Sequence, residues 1–205
     1  MLSFILACAH LDPIGIVRAG GYVGLALLVF AESGLLIGIF LPGDSLLFAA
    51  GLLSASGLFD PGLLAISVIA AAILGDSAGY WFGKEVGHHF LNRPEGMLVK
   101  HEHIERTQKF YKKYGPRAVV LARFVPVVRT LAPILAGVGK MRYARFLSYN
   151  VLGGFAWGAG MVALGYFLGA AWPASQQYVL WLSLAIVLVS FFPLLLNLLN
   201  GKRAV

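Results

Sequence analysis

Charge is scarce in this sequence. Of its 205 residues only 12% are charged, while 59% are hydrophobic and the mean hydropathy is +0.81. An ordinary soluble domain carries about a quarter charged residues. A chain with about half that coating excludes a soluble enzyme, a disordered tail and a nucleic-acid-binding module, despite its net charge of +7. Cysteine is nearly missing as well, and the lone Cys8 excludes a disulfide framework or a Cys-based metal centre. The first ten residues lack the basic start and the long apolar run of a secretory signal, so the membrane segments themselves are the expected insertion signal. At about 20 apolar residues per spanning helix, there is room for about four to six embedded segments. The expected fold is an all-α integral membrane protein, a single membrane domain over residues 1–205.

The basic residues that are present are unevenly placed. Lys84, Arg93, Lys100, Arg106, Lys109, Lys112, Lys113 and Arg117 are half of the sixteen in the chain. Orientation follows Lys and Arg rather than net charge, so the 84–117 segment is expected to be cytoplasmic. Lys140, Arg142 and Arg145 form a second group and Lys202-Arg203 a third, all expected on the same side. Segments 63–82, 146–168 and 178–199 are each long enough to cross, with aromatic residues near an end. Residues 13–29 make a fourth crossing from a cytoplasmic N-terminus. The charges then require an external turn at Trp172-Pro173 and a cytoplasmic C-terminus.

Two further apolar segments fit this scheme only if they do not cross. Residues 118–139 are flanked by basic groups at both ends and contain Pro126, Pro133, Gly137 and Gly139, which interrupt or weaken a helix. They are expected to form a re-entrant helical hairpin opening to the cytoplasm. Residues 31–56 carry the turn sequence Leu41-Pro42-Gly43-Asp44 at their centre, and are expected to form a second hairpin opening outward. Each hairpin is followed by a helix bearing an aromatic-glycine stretch, Gly79 to Gly83 in one half and Gly154 to Gly158 in the other. Hairpin plus helix, repeated in opposite orientation, is an arrangement of secondary transporters with a mid-membrane site.

Five charges fall inside these apolar segments: Glu32, Asp44, Asp76, Arg123 and Arg129. Each costs at least about 2.5–3.5 kcal/mol at the centre of a lipid-facing helix, so pairing or hydration is expected. If the hairpin tips meet, acids face bases. Arginine presents a planar fork of donors that stays charged and grips a phosphate through two parallel bonds. Arg123 and Arg129 are therefore the expected substrate-binding residues, and Glu32 and Asp44 the expected proton-coupling residues. The plainer reading of the same charges is a set of structural ion pairs, such as Glu32 with Arg123 or Asp44 with Arg129. Asp76 is expected chiefly to hydrogen-bond Ser or backbone in a helix whose Gly75, Gly79 and Gly83 permit close packing; it is an accessory candidate, with Asn150.

Other chemistry finds little support. His88-His89 and His101-Glu102-His103 lack the i, i+4 histidine pair of a helical zinc site. No catalytic triad and no phosphate-binding glycine loop is present, so neither metal, cofactor nor enzymatic activity is expected. Residues 104–114 alternate aromatic and basic side chains, as in an amphipathic helix lying on an anionic leaflet.

The motifs Phe30-Ala31-Glu32-Ser33 and Phe40-Leu41-Pro42-Gly43-Asp44-Ser45, followed by Gly75-Asp76, Tyr80 and Gly83, resemble the first signature of the DedA family of bacterial inner-membrane proteins. Arg123-Phe124-Val125-Pro126, with Arg129, Pro133, Ala136-Gly137, Met141, Phe146, Asn150, Gly153 and Trp157, is similar to its second. The resemblance covers about residues 20–170 and implies the VTT (SNARE-associated) architecture with two facing hairpins. It further implies a role in envelope homeostasis that depends on the proton-motive force. The family is implicated in returning undecaprenyl phosphate across the membrane, and its eukaryotic relatives scramble phospholipids. Residues matching Glu32, Asp44, Arg123 and Arg129 are those the family holds essential.

The expected function is proton-coupled transport of a phosphate-bearing lipid, undecaprenyl phosphate or a phospholipid, with no nucleic-acid partner and homo-oligomerisation left open. The alternatives are a proton-coupled cation or drug exporter, a passive phospholipid scramblase or scaffold, and an intramembrane phosphatase, for which no nucleophile is apparent.

Overall fold

A computed structural model describes residues 13–35, 43–91, 115, 117–178 and 181–182. Six α-helices are present among them: α1 (Pro13–Gly34), α2 (Gly43–Ser54), α3 (Pro61–Leu91), α4 (Arg117–Ala122), α5 (Pro126–Val138) and α6 (Tyr143–Ala171). A 3₁₀ turn follows at Pro173–Tyr178, where the sequence places an external turn. The described residues contain no strand. The segments 36–42, 92–114 and 183–205 lie outside the described residues, and with them the tip of the first expected hairpin, most of the basic 84–117 segment and most of the 178–199 span.

The helix ends follow local chemistry. Asp60 caps α3, its Oδ1 accepting the Leu63 N–H at 2.7 Å, and Pro61 occupies the first helical position, where its missing N–H costs nothing. Helix α2 closes with Gly57 in the left-handed region (φ 83°), as the Leu58 N–H reaches back to the Leu53 carbonyl and the Gly57 N–H to that of Ser54. Helix α5 closes in the same way, with Met141 donating to Ala136 and Lys140 to Gly137. Here the left-handed position is held by Lys140 (φ 57°) rather than glycine. That conformation costs an L-residue roughly 1–2 kcal/mol, so Lys140→Gly is expected to raise thermal stability, read as a higher unfolding temperature in detergent.

Some boundaries differ from the sequence expectation. Helix α1 continues past residue 29 through Glu32 to Gly34, and is broken instead at Gly21 (φ 56°, ψ −158°). The 63–82 segment is the interior of a 31-residue helix that runs through Lys84 to Leu91, so the basic segment begins in helix rather than loop. In 118–139 the helix breaks over residues 123–125, just before Pro126, and then runs unbroken through Pro133 and Gly137. Proline lacks the N–H that would bond the carbonyl four residues back, here that of Arg129, but buried surroundings hold the helix together.

Two helices among the described residues are long and apolar enough to cross a membrane, Pro61–Glu85 and Tyr143–Ala171. Val23, Ile66, Leu74, Phe155 and Phe167 expose large apolar side chains along α1, α3 and α6. Water would penalise such faces, and hydrocarbon does not.

The chain divides into two compact units, each built from separate stretches: residues 1–28, 42–68 and 158–205 in the first, 29–41 and 69–157 in the second. In the first, α2 is buried on nearly all sides and meets α6 backbone to backbone: a side chain at Gly51 would collide with the Val162 carbonyl, and one at Gly165 with that of Phe48. In the second, Tyr80, Val119, Ala136 and Phe146 form the apolar core. There Gly75 of α3 meets Phe30 of α1, while Gly83 and Gly137 bring α3 and α5 together. The glycine stripe expected to allow close packing does so. Because the opposing atoms are backbone, Gly137→Val is expected to cost at least about 1–3 kcal/mol, the penalty of overpacking; loss of the monodisperse peak in size-exclusion chromatography would register it.

Candidate functional site

Four of the five charges that fall in apolar segments gather in the second unit. Arg123 occupies the break between α4 and α5, where its N–H still closes a turn to the Val120 carbonyl at 3.2 Å. Its guanidinium Nη2 donates to the Asp76 carboxylate and to Asn150 Oδ1, and lies 3.5 Å from the Ala72 carbonyl oxygen. Asn150 is held in turn, its Nδ2 donating to the Ile73 carbonyl at 3.1 Å. Gly153 and Gly154 of α6 make the room: a Cβ on Gly153 would lie 2.8 Å from Arg123 Cδ. Arg129, in the first turns of α5, forms an ion pair with Glu32 near the end of α1, and its guanidinium lies over the Trp157 ring at 5.0 Å.

All five polar members, Glu32, Asp76, Arg123, Arg129 and Asn150, are buried. At 1.5 Å per residue, Asp76 sits about 23 Å along α3 from Pro61 and about 14 Å from Glu85, well inside the apolar span. Two cations and two anions cancel, and that neutrality is what makes burial tolerable. The cancellation does not exhaust the donors. Arg123 Nε is buried with no hydrogen-bond partner among the described residues.

Ion pairs join Glu32 with Arg129 and Asp76 with Arg123, neither of them a pair named from sequence. Asp76, expected to bond Ser or backbone, is half of a buried ion pair, and Asn150 is its companion on the same guanidinium. Asp44 belongs to the first unit, partly buried in the first turn of α2, where a carboxylate suits the positive helix end. Gly154 was expected to serve as a packing face and does so against Ile73 and Arg123; the contacts of Trp157 and Gly153 with the arginines left no signal in charge or periodicity. The described residues contain no cluster of three metal-ligating side chains.

Two apolar helices of spanning length and a buried cluster of paired arginines and acids fit a membrane protein with an internal polar site. The VTT domain family matches residues 41–167. The chain is 41% identical over 202 residues to an uncharacterized membrane protein of Mycobacterium tuberculosis, covering 95% of this chain and 88% of that one. It is 38% identical over 185 residues to Protein DedA of Escherichia coli K12, covering 89% and 84%, and 36% identical over 200 residues to an uncharacterized membrane protein of Mycobacterium leprae, covering 95% and 89%. No solved structure matches significantly. The chain belongs to the DedA family of VTT-domain membrane proteins.

Proposed function

We propose that this protein is a proton-coupled transporter of a phosphate-bearing lipid, with undecaprenyl phosphate the foremost candidate, in a bacterial inner membrane. The observation that carries the reading is the charge balance of the buried site. Arg123 is paired with Asp76 and Arg129 with Glu32, so an anion added to these neutral pairs would leave a net charge in low dielectric, which is expensive. A phosphate can enter cheaply only with a proton. Protonating Glu32 removes the charge that holds Arg129, and the phosphate takes the vacated fork; the unused Arg123 Nε offers a further donor. Returning the proton to the other side restores the Glu32–Arg129 pair and expels the head group.

In this reading the lipid tail stays in hydrocarbon and only the head group crosses. The α4–α5 pair acts as a re-entrant hairpin, and an inverted repeat of hairpin plus helix would expose the site alternately. Asp44 is assigned with Glu32 to proton coupling, and Asp76 and Asn150 to holding Arg123. The N- and C-termini lie in the cytoplasm.

The test is reconstitution in liposomes with undecaprenyl phosphate and an imposed pH gradient. Net lipid movement should follow the sign of the gradient and be matched by proton uptake. Flux indifferent to the gradient would contradict coupling and indicate a scramblase. Competition by cations instead of phosphates would indicate an exporter.

A further inference from the structure

A second polar feature of the same unit plays no part in the buried site. A cleft of about 480 Å³ opens where α3, the end of α5 and the start of α6 meet, its charged lining being Lys84, Lys140 and Arg142 against the single acid Glu85. That volume lies in the range of small-molecule sites, roughly 300–1,000 Å³. Lys84 and Glu85 end the apolar span of α3, so the cleft is level with the membrane–water boundary. The aromatic residues around it fit that depth: Tyr80 and Tyr143 line it, Tyr80 stacks on Phe146 at 4.8 Å, and the Lys84 ammonium sits 4.5 Å from the centre of the Trp81 ring.

Two details argue for a built site rather than a merely solvated basic surface. Lys140 lines the cleft from the left-handed position that glycine would occupy without strain, and such strain persists where surroundings fix it, often at ligand sites. The backbone dipoles also favour an anion. The α5 carbonyls of Leu135, Ala136 and Gly137 are taken by the N–H groups of Gly139, Met141 and Lys140, while the positive end of the 29-residue α6 begins at Tyr143. The Tyr80 hydroxyl donates to the Met141 carbonyl and pins the connecting turn.

We infer that this cleft binds a phosphate group at the membrane surface, through Lys84, Lys140 and Arg142. The site is independent of the transport reading and would stand without it. The ligand is either an anionic phospholipid head group or a soluble phosphate ester, which share the chemistry. The experiment uses the full-length protein in nanodiscs of phosphatidylcholine, with phosphatidylglycerol added to one arm and glycerol 3-phosphate to the other, followed by native mass spectrometry. The wild type should retain one or the other. The variant K84Q/R142Q, altered only at exposed side chains, should bind it at least about tenfold more weakly per cation removed, as loss of charge-assisted hydrogen bonds requires. Lys140→Gly should weaken it while leaving the protein folded. Retention of phosphatidylglycerol alone assigns the cleft to the lipid, and retention of glycerol 3-phosphate assigns it to a soluble ester. Equal binding by wild type and K84Q/R142Q in both arms, or no binding in either, overturns the inference.

Discussion

Asp76→Ala is expected to destabilise the folded protein by about 3–5 kcal/mol, because it strands the buried Arg123 guanidinium without its counter-charge. The deletion removes a small side chain, and its packing loss alone is minor. What remains is a cation with Asn150 and the Ala72 carbonyl as its nearest acceptors, neither able to neutralise it. Removing the second charge should reverse most of the loss, so Asp76→Ala/Arg123→Met should recover much of the stability that Asp76→Ala gives up. Thermal unfolding in detergent measures both. Equal stabilities for wild type and Asp76→Ala would mean that the two side chains are not buried together.

The second large effect is functional. Glu32→Gln keeps the shape and hydrogen-bonding capacity of the side chain but removes the charge that balances Arg129 and the ability to exchange a proton. Residue 32 then no longer competes as an anion for Arg129, so the variant should hold a phosphate lipid at least as tightly as the wild type. Its transport should lose all response to a pH gradient. The opposite substitution, Arg129→Lys, keeps the charge but loses the planar fork and the face lying over Trp157; binding should fall by about tenfold or more, the equivalent of one charge-assisted hydrogen bond. Flux assays with and without the gradient separate the two outcomes. A Glu32→Gln variant that still responds to the gradient would remove Glu32 from proton coupling.

The members of the site were legible in the sequence because charge inside an apolar segment is conspicuous and costly. Glu32, Asp76, Arg123 and Arg129 stand out for that reason alone. Their pairing was not legible. Which acid meets which arginine depends on how far α1 extends and on the rotation of α3, and neither leaves a mark when every face of a helix is apolar. The same uniformity hid the reach of α1 through Glu32. Pro126 announced the break in 118–139, yet Pro133 gave an identical signal inside an intact helix, since proline in a buried helix bends more readily than it breaks. Caps were the other opportunity. Asp60-Pro61 ahead of an apolar run marks the start of α3, whereas at the end of α5 the visible glycine, Gly139, is one residue short of the strained position that Lys140 occupies.

The most direct test of the buried site as a phosphate receptor keeps its charge balance intact while removing its recognition. In Glu32→Gln/Arg129→Gln both charges leave together, so the fold should survive, as a matching unfolding temperature would document. Binding of undecaprenyl phosphate to purified wild-type and double-variant protein, measured by native mass spectrometry, should then differ by at least about tenfold in favour of the wild type. Indistinguishable binding by two equally folded proteins would contradict the account.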